Sequence, residues 1–338
     1  MTDMRQQQAE RYREPSFEEA VDIADEVRQW RRDRRKVIAM RVVAALLIIL
    51  AIGIGGFPTF LQYQSAQELR NTSDRSAQAV AGWPYPQADE AFAAAKAYNR
   101  RLAASGQPIL GEAQDPFSQV QGGSQSSESG AAESNSASAK DKEYQSLLDS
   151  GSGVMGTIRI PKISVRLPIY HGTSQSALAS GAGHLYGSSL PVGGRSTHAV
   201  ITGHRGLVEA MMFTRLDEMR VGDYFYIEVM GRTLGYKVDR ISVIEPNDTS
   251  TLKIVPGEDR VTLMTCTPYG VNTHRLLVSA VRSAIPGVVP EERNAAKDAR
   301  LIAIAVSAGV LVSGTLLAWL RRRPWHIRRH AAWWPKRG

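Results

Sequence analysis

Cysteine is nearly absent from this chain of 338 residues, which contains only Cys266. A single thiol excludes an internal disulfide and any metal site that needs two cysteines. It leaves either a buried small apolar side chain or a nucleophile. The flanking sequence favours a nucleophile, because Val261–Thr265 has the pattern of a short β-strand and Pro268-Tyr269-Gly270 breaks the chain just after it. A thiol at a strand end, facing a loop, can meet a substrate.

A broad excess of charge is also missing, although the formal net charge is +8. Residues 1–36 hold nine basic and nine acidic residues, whereas residues 321–338 hold seven Lys or Arg and no acid. The remaining 25 basic and 24 acidic residues nearly balance. The chain therefore lacks a broad basic face for a polyanion, and we expect no nucleic-acid partner.

Two uncharged apolar runs of 20 residues, Val42–Leu61 and Leu301–Leu320, are long enough to cross a membrane as helices. Basic clusters flank their outer ends, with residues 31–36 before the first run and Arg321-Arg322-Arg323 after the second. The positive-inside rule then predicts that both termini are cytoplasmic and that the region between the runs is extracellular.

Each run has a competing interpretation. The first could be a cleaved signal peptide, but residues 1–41 form too long a polar region and no small-x-small cleavage site follows the run. The second could be a buried core helix, but its length and the Arg triplet favour a membrane span. We therefore expect a two-pass protein of the cell membrane.

The region after Val154 alternates short β-runs with turn residues, and Met230-Gly231-Arg232 resembles a hairpin turn. Seven or eight short strands with little helix, within about 130 residues, favour a β-sandwich or a closed barrel. Upstream, Gln64–Ser105 reads as helix interrupted at residues 83–86. The predicted strands are Gly156–Ile160, Arg166–Tyr170, Ala199–Thr202, Tyr224–Val229, Gly235–Ile244, Val261–Thr265 and Leu276–Val281.

A cysteine nucleophile needs a base or a cation nearby, because an ordinary thiol with a pKa near 8.5 is only a few per cent thiolate at neutral pH. Two of the seven histidines, His326 and His330, lie in the predicted cytoplasmic tail. His204 follows an apolar strand and precedes Arg205-Gly206, a strand-to-loop exit like that of Cys266. The pattern favours His204 as the base but leaves four others open, namely His171, His184, His198 and His274.

Acyl transfer through a thiol also needs a group that holds the developing oxyanion. Arg275 opens the strand Leu276–Val281, so we expect it at the same end of the sheet as Cys266. A guanidinium stays charged and offers several donors. The sequence shows no acidic cluster suited to a metal ion, and we expect neither a metal nor a cofactor.

The motifs around these residues resemble those of sortases, the cysteine transpeptidases of Gram-positive cell surfaces. Thr262-Leu-Met-Thr-Cys266 with Arg275, and Thr202-Gly-His-Arg-Gly-Leu207, carry the resemblance at the candidate site. The likeness spans about 130 residues and is to the class C, pilin-polymerising branch in particular. It extends to Gly156-Thr-Ile-Arg-Ile-Pro-Lys162, Leu167-Pro-Ile-Tyr-His-Gly172, Gly183-His-Leu-Tyr-Gly-Ser-Ser-Leu-Pro191, Asp248-Thr-Ser250 and Cys266-Thr-Pro-Tyr-Gly-Val-Asn-Thr-His-Arg-Leu-Leu-Val278.

The resemblance implies a mainly β fold, an eight-stranded sortase-type β-barrel with short helices. It implies Cys266 as the nucleophile, His204 as the general acid/base, and Arg275 as the group that positions substrate and stabilises the oxyanion. The implied partners are pilins or surface proteins with a Leu-Pro-x-Thr-Gly-like signal, cleaved between Thr and Gly and transferred to a lysine amine of another pilin subunit. Two alternatives are a housekeeping-type sortase that uses a peptidoglycan amine and a non-catalytic membrane adaptor.

Asp115-Pro116-Phe117 resembles the lid motif of class C sortases, which implies that Asp115 pairs with Arg275 and that the ring of Phe117 covers Cys266. The sequence predicts a cytoplasmic tail at 1–36, a transmembrane helix at 37–61 and an extracellular helical region at 62–150. The lid, at about 112–120, and a flexible Gly/Ser/Ala-rich loop, at 122–139, lie within that helical region. A catalytic barrel at 151–290, a second transmembrane helix at 301–320 and a basic cytoplasmic tail at 321–338 follow.

Overall fold

The computed structural model describes residues 24–107, 136–151, 153–290 and 307–315, together with residues 17 and 22. The chain divides into two compact units, Met1–Phe57 and Pro58–Gly338. The predicted lid residues Asp115, Pro116 and Phe117 lie outside the described residues, as do most of the Gly/Ser/Ala-rich loop and much of the second apolar run.

The first helix, α1 (Ala24–Ala81), contains the first apolar run. Within the first unit its apolar side chains are exposed, for example Leu46 and Ile49 at 59% and 66%. Its most apolar 18-residue window has a mean hydropathy of 2.8 and no buried residue. By length and composition this helix can cross a membrane, and it is the one such helix among the described residues.

The second unit begins with the remainder of α1, followed by α2 (Gln87–Ala104). The break between them falls at Trp83-Pro84-Tyr85-Pro86, where the sequence predicts it, because proline lacks the N–H that a helix interior needs. Phe92 and Ala95 of α2 are buried in the same core cluster as the barrel interior. Asn99 is also buried, and its amide donates to and accepts from the backbone of Leu190 at 2.9 and 2.8 Å.

Eight strands form a closed barrel in the order β1-β2-β3-β4-β7-β8-β6-β5, which confirms the predicted eight-stranded fold. Their bounds are β1 (Val154–Ile160), β2 (Val165–His171), β3 (Ala182–His184), β4 (Thr197–Thr202), β5 (Tyr224–Val229), β6 (Arg232–Ile244), β7 (Asp259–Thr267) and β8 (His274–Arg282). The short α-helices are α3 (Ala137–Lys140), α4 (Lys142–Ser146) and α5 (Gln175–Ser180), and 3₁₀ turns lie at Pro161–Ile163, Leu216–Glu218 and Ser250–Leu252. Residues 307–315 are helical and largely exposed.

Two strand pairs in the barrel are parallel, β2 with β3 and β4 with β7, and β1 closes the barrel against β5 in the antiparallel sense. The predicted hairpin between β5 and β6 is present. Met230 and Gly231 both have positive φ, 46° and 71°, as a type I′ turn requires. β3 was not predicted from the sequence, and it has only three residues.

Side chains alternate between two apolar clusters along β7. Val261 and Leu263 point into the barrel core, whereas Met264 and Cys266 belong to a second cluster on the opposite face of the strand. We call this second set the outer cluster. It consists of Leu178, Leu185, Val200, Ile244, Leu252, Met264, Cys266 and Leu277. The pleat therefore turns the lone thiol away from the core and onto the outer surface of the sheet.

Candidate active site

The strand register brings Cys266 and Arg275 together. β7 and β8 are antiparallel, and Cys266 lies directly opposite Arg275. Residues opposite each other in an antiparallel pair have Cα atoms about 4.5–5.5 Å apart and side chains on the same face. The two predicted site residues, nine positions apart in the sequence, are therefore neighbours on the outer face of the barrel.

His204 lies beside Cys266 on the other side of β7, opposite the side where β8 and Arg275 lie. β4 runs parallel to β7 with Thr202 opposite Met264, so His204 and Cys266 each lie two residues further along. The pairing continues past β4, since Gly203 N donates to Met264 O at 3.1 Å and Thr265 Oγ1 donates to Gly203 O at 2.7 Å. His204, in the segment that follows β4, consequently lies level with Cys266 on β7 and Arg275 on β8.

Gly203 is the residue that lets this segment pass close to its neighbours. A Cβ atom at position 203 would lie 2.7 Å from the ring of Phe213, closer than real Cβ contacts occur. Phe213 N in turn donates to the carbonyl of His204 at 3.0 Å. The glycine and this hydrogen bond set the path of the backbone at His204.

All three residues are buried, with exposed fractions of 9% for His204, 4% for Cys266 and 2% for Arg275. Nη1 of Arg275 donates to the backbone carbonyls of Asn272 and His274 at 2.9 and 2.8 Å, which orients the guanidinium in the β7–β8 turn. Charge-assisted bonds to carbonyl oxygens hold a buried guanidinium in one orientation. The site thus combines a thiol, an imidazole and a fixed cation in a space with little water.

Burial lowers the pKa of His204 below its ordinary value near 6.5. The imidazole is therefore neutral at pH 7, the form that can accept a proton. A neutral imidazole level with a thiol can act as a general base and, once protonated, as a general acid.

The structure separates His204 from three of the other candidate histidines, whose ring nitrogens are engaged in structural hydrogen bonds. His171 contacts two backbone carbonyls, His184 contacts Tyr144 Oη and Ser189 O, and His198 contacts Lys253 O and Thr262 Oγ1. Burial lowers the pKa of His184 and of His198 to about 4. His184 and His198 are therefore neutral at pH 7, and the hydrogen bonds of all three rings join them to structural groups of the barrel.

His274 is the remaining alternative, and it lies at the start of β8 opposite Thr267. Its side chain is 44% exposed, and Nε2 is 3.8 Å from Glu245 Oε1. A half-exposed imidazole beside a carboxylate is a surface pair, and it lies one residue past the level of Cys266. Register and burial therefore favour His204 over His274.

Arg205 is a further residue of this site, and the sequence pattern had indicated only that it is part of a turn. Nη1 of Arg205 lies 3.2 Å from Thr267 Oγ1 and 3.5 Å from the carbonyl oxygen of Cys266. Its side chain is 6% exposed and forms an ion pair with Asp217. The only sequence signal was its position next to His204, which by itself says nothing about contact with β7.

The described residues contain no group of three or more His, Cys, Asp or Glu side chains arranged to hold a metal ion. The polar groups around Cys266 in this part of the chain are instead suited to proton transfer and to binding a carbonyl oxygen.

Comparison with known proteins agrees with this geometry. Residues 158–283 match the family model described as the sortase domain. Among solved structures, the complex of Streptococcus agalactiae sortase C1 with MTSET is 38% identical with a TM-score of 0.54. The match covers 64% of this chain and 100% of that sortase chain. Sortase C from Streptococcus pneumoniae is 38% identical with a TM-score of 0.53, covering 65% of this chain and 99% of its own.

Curated relatives are more distant. Sortase A of Streptococcus agalactiae serotype III (strain NEM316) is 30% identical over 130 residues, 38% of this chain and 52% of that protein. Sortase A of Bacillus anthracis is 27% identical over 126 residues, 37% of this chain and 58% of that protein. The matched segment thus spans about half the length of these curated relatives, whereas the sortase C structures are covered almost completely. The chain belongs to the sortase family, and its structural neighbours are class C sortases.

Proposed function

We propose that this chain is a membrane-anchored cysteine transpeptidase that cleaves a Leu-Pro-x-Thr-Gly-like signal between Thr and Gly and transfers the acyl group to a lysine amine of another pilin subunit. The observation that carries the proposal is that the strand pairings place His204, just after β4, level with Cys266 on β7 and Arg275 on β8. A nucleophile, a base and an oxyanion-binding cation are the groups that acyl transfer through a thiol needs.

In the proposed reaction, His204 takes the proton of the Cys266 thiol, and the resulting thiolate attacks the carbonyl carbon of the Thr–Gly bond. Arg275 holds the oxyanion, and His204 donates a proton to the departing glycine amine as the C–N bond breaks, leaving a thioester. An incoming amine attacks that thioester, His204 takes up the proton that the amine loses, and the departing thiolate regains a proton from His204. Each proton taken up is returned, so the enzyme ends the cycle unchanged.

The preference for a pilin lysine rests on the structural neighbours. The Streptococcus pneumoniae sortase C structure concerns pilin substrate specificity, and another neighbour is sortase C1 of GBS Pilus Island 1. The curated relatives are instead called sortase A. We favour the class C neighbours because they have higher identity over a larger share of this chain.

A competition assay tests the proposal. The full chain in detergent is given a Leu-Pro-x-Thr-Gly peptide together with two amines, a lysine-containing pilin peptide and a peptidoglycan stem peptide, and mass spectrometry identifies the products. We expect the acyl group mainly on the lysine. Transfer to the stem peptide alone would support the housekeeping-type alternative. If the Leu-Pro-x-Thr-Gly peptide is not cleaved, the non-catalytic adaptor is the remaining alternative.

The proposed location is the cell membrane, with two spans at 37–61 and 301–320, the barrel outside and both termini in the cytoplasm. Exposed apolar side chains on α1 and on the helical residues 307–315 support it, among them Leu46 and Val310. Epitope tags at both ends should survive protease added to intact protoplasts, while the region between the spans is digested. Digestion of either tag would refute the two-pass topology.

The lid proposal rests on the class C resemblance of Asp115-Pro116-Phe117. Pro116 fixes its own φ and stiffens the tripeptide, and the resemblance pairs Asp115 with Arg275. Asp115→Ala and Phe117→Ala should therefore speed iodoacetamide labelling of Cys266 several-fold, up to about tenfold for ~1.4 kcal/mol of lost closure. The labelling rate of each variant is compared with that of the wild type at fixed pH. If neither variant is labelled faster than the wild type, the lid assignment is wrong.

A further inference from the structure

Arg205 connects the segment that carries His204 to the strand that carries Cys266. It directly follows His204, and its Nη1 is within hydrogen-bonding distance of Thr267 Oγ1 and, at the long limit, of the Cys266 carbonyl oxygen. With a side chain only 6% exposed, this guanidinium is a buried cation next to the backbone of the candidate nucleophile. Contacts across two separate elements are what a positioning residue requires.

Two neighbours hold the guanidinium in this place. Asp217 pairs with Nη2, and its own side chain is 52% exposed, so water screens the carboxylate more than the cation. The ring of Tyr269, from the β7–β8 turn, lies 5.9 Å from the Arg205 Cζ. Gly206 passes beneath that ring with φ of +82°, where an added Cβ would lie 3.3 Å from Tyr269 Cε2.

The charge of Arg205 bears on the thiol because Nη1 lies 3.5 Å from the carbonyl oxygen of the same residue, Cys266. The described groups around Cys266 are His204 after β4, Arg275 and His274 on β8, Glu245 beside His274, and Asp217 on Arg205. His204 is neutral at pH 7, so the positive charge on this side of the thiol comes from Arg275 and from Arg205, whose charge the half-exposed Asp217 offsets in part. Glu245 is 79% exposed in its side chain and acts at longer range through solvent.

We infer that Arg205 is a positioning residue of this site, whose guanidinium ties the His204 segment to the end of β7 and whose charge favours the thiolate form of Cys266. The inference deepens the proposed transpeptidase function and rests on it for its biological meaning. Its physical content concerns the thiol alone, which makes it testable without a substrate.

The test is the pH dependence of iodoacetamide labelling of Cys266 in the full chain, followed by intact mass. Arg205→Met removes the charge and keeps the length of the side chain, so the pH midpoint of labelling should rise by about one unit. At a fixed pH below the midpoint, this shift corresponds to labelling that is about tenfold slower. Arg205→Lys keeps the charge and should stay within about 0.3 unit of wild type. Arg215→Met is the matched control, because Arg215 pairs with Glu218 in the same segment, and it should leave the profile unchanged.

An unchanged midpoint in Arg205→Met would overturn the inference, and so would equal shifts in Arg205→Met and Arg205→Lys, because these would trace the effect to packing. Arg205→Gln serves as a second neutral variant should the Met substitution lower the unfolding temperature. Labelling needs only the thiol, so its outcome is independent of whether any peptide is cleaved. A chain with the expected labelling shift but no transfer activity would contradict the proposed function and leave the charge effect of Arg205 standing.

Discussion

Replacing Cys266 by alanine should reduce peptide cleavage to background, a fall of about a thousandfold or more. Without Sγ no thioester can form, and the chain contains no other thiol to take over, because Cys266 is its only cysteine. The measurement is the rate of release of the glycine-containing fragment from a Leu-Pro-x-Thr-Gly peptide by the full chain in detergent.

The single thiol also supplies a matched control. Wild-type chain treated with iodoacetamide should gain one adduct and lose activity in proportion to the fraction modified, while Cys266→Ala gains none. The alanine removes one buried sulfur from the outer cluster, a loss of about 1 kcal/mol, so a thermal unfolding curve should still show a folded barrel. Substantial turnover by the folded variant would rule out the covalent mechanism.

Much of the barrel was predictable because its strands follow simple rules. β7 alternates between the barrel core and the outer cluster at every second residue, and proline and glycine mark the turn after it. Seven of the eight strands were anticipated, although the structure extends most of them at one or both ends. β3 was not, because Ala182-Gly183-His184 is too short to show a period and owes its conformation to pairing with β2 and β4.

The choice among the histidines shows where sequence reasoning stops. Five histidines lay in the predicted extracellular region, and the strand-to-loop exit at His204 favoured that residue without excluding the other four. The distinction depends on partners far along the chain, such as Tyr144 for His184 and Thr262 for His198. Such pairs exist only after the strands have assembled, so no window of sequence contains them.

Arg205 illustrates the same limit. Its contacts with Thr267 and Asp217 depend on the parallel pairing of β4 with β7 and on the 3₁₀ turn at Leu216–Glu218. The sequence around Arg205 contains none of these partners, so the contact with β7 could not be predicted from it. The lid motif remains a prediction, since its residues lie outside the described ones.

Replacing Arg275 by alanine should lower the rate of peptide cleavage by about a hundredfold or more, equivalent to ~2.7 kcal/mol of transition-state stabilisation. The guanidinium lies opposite Cys266 and is oriented by the carbonyls of Asn272 and His274. Arg275→Lys keeps the charge but not the planar set of donors, so it should recover only part of that loss. Arg282→Ala, at the other end of the same strand, is the matched control and should stay within about twofold of wild type.

His204→Ala should show a loss of similar size, about a hundredfold, because it removes the group that moves the proton. The two variants differ in how they respond to added base. An external imidazole can replace a missing general base, so it should restore some activity to His204→Ala and none to Arg275→Ala. A near-normal rate in His204→Ala would transfer the proton-carrying role to another residue, with His274→Ala as the next variant to measure since His274 lies next to Arg275 at the start of β8. A near-normal rate in Arg275→Ala would instead show that Arg275 does not stabilise the oxyanion.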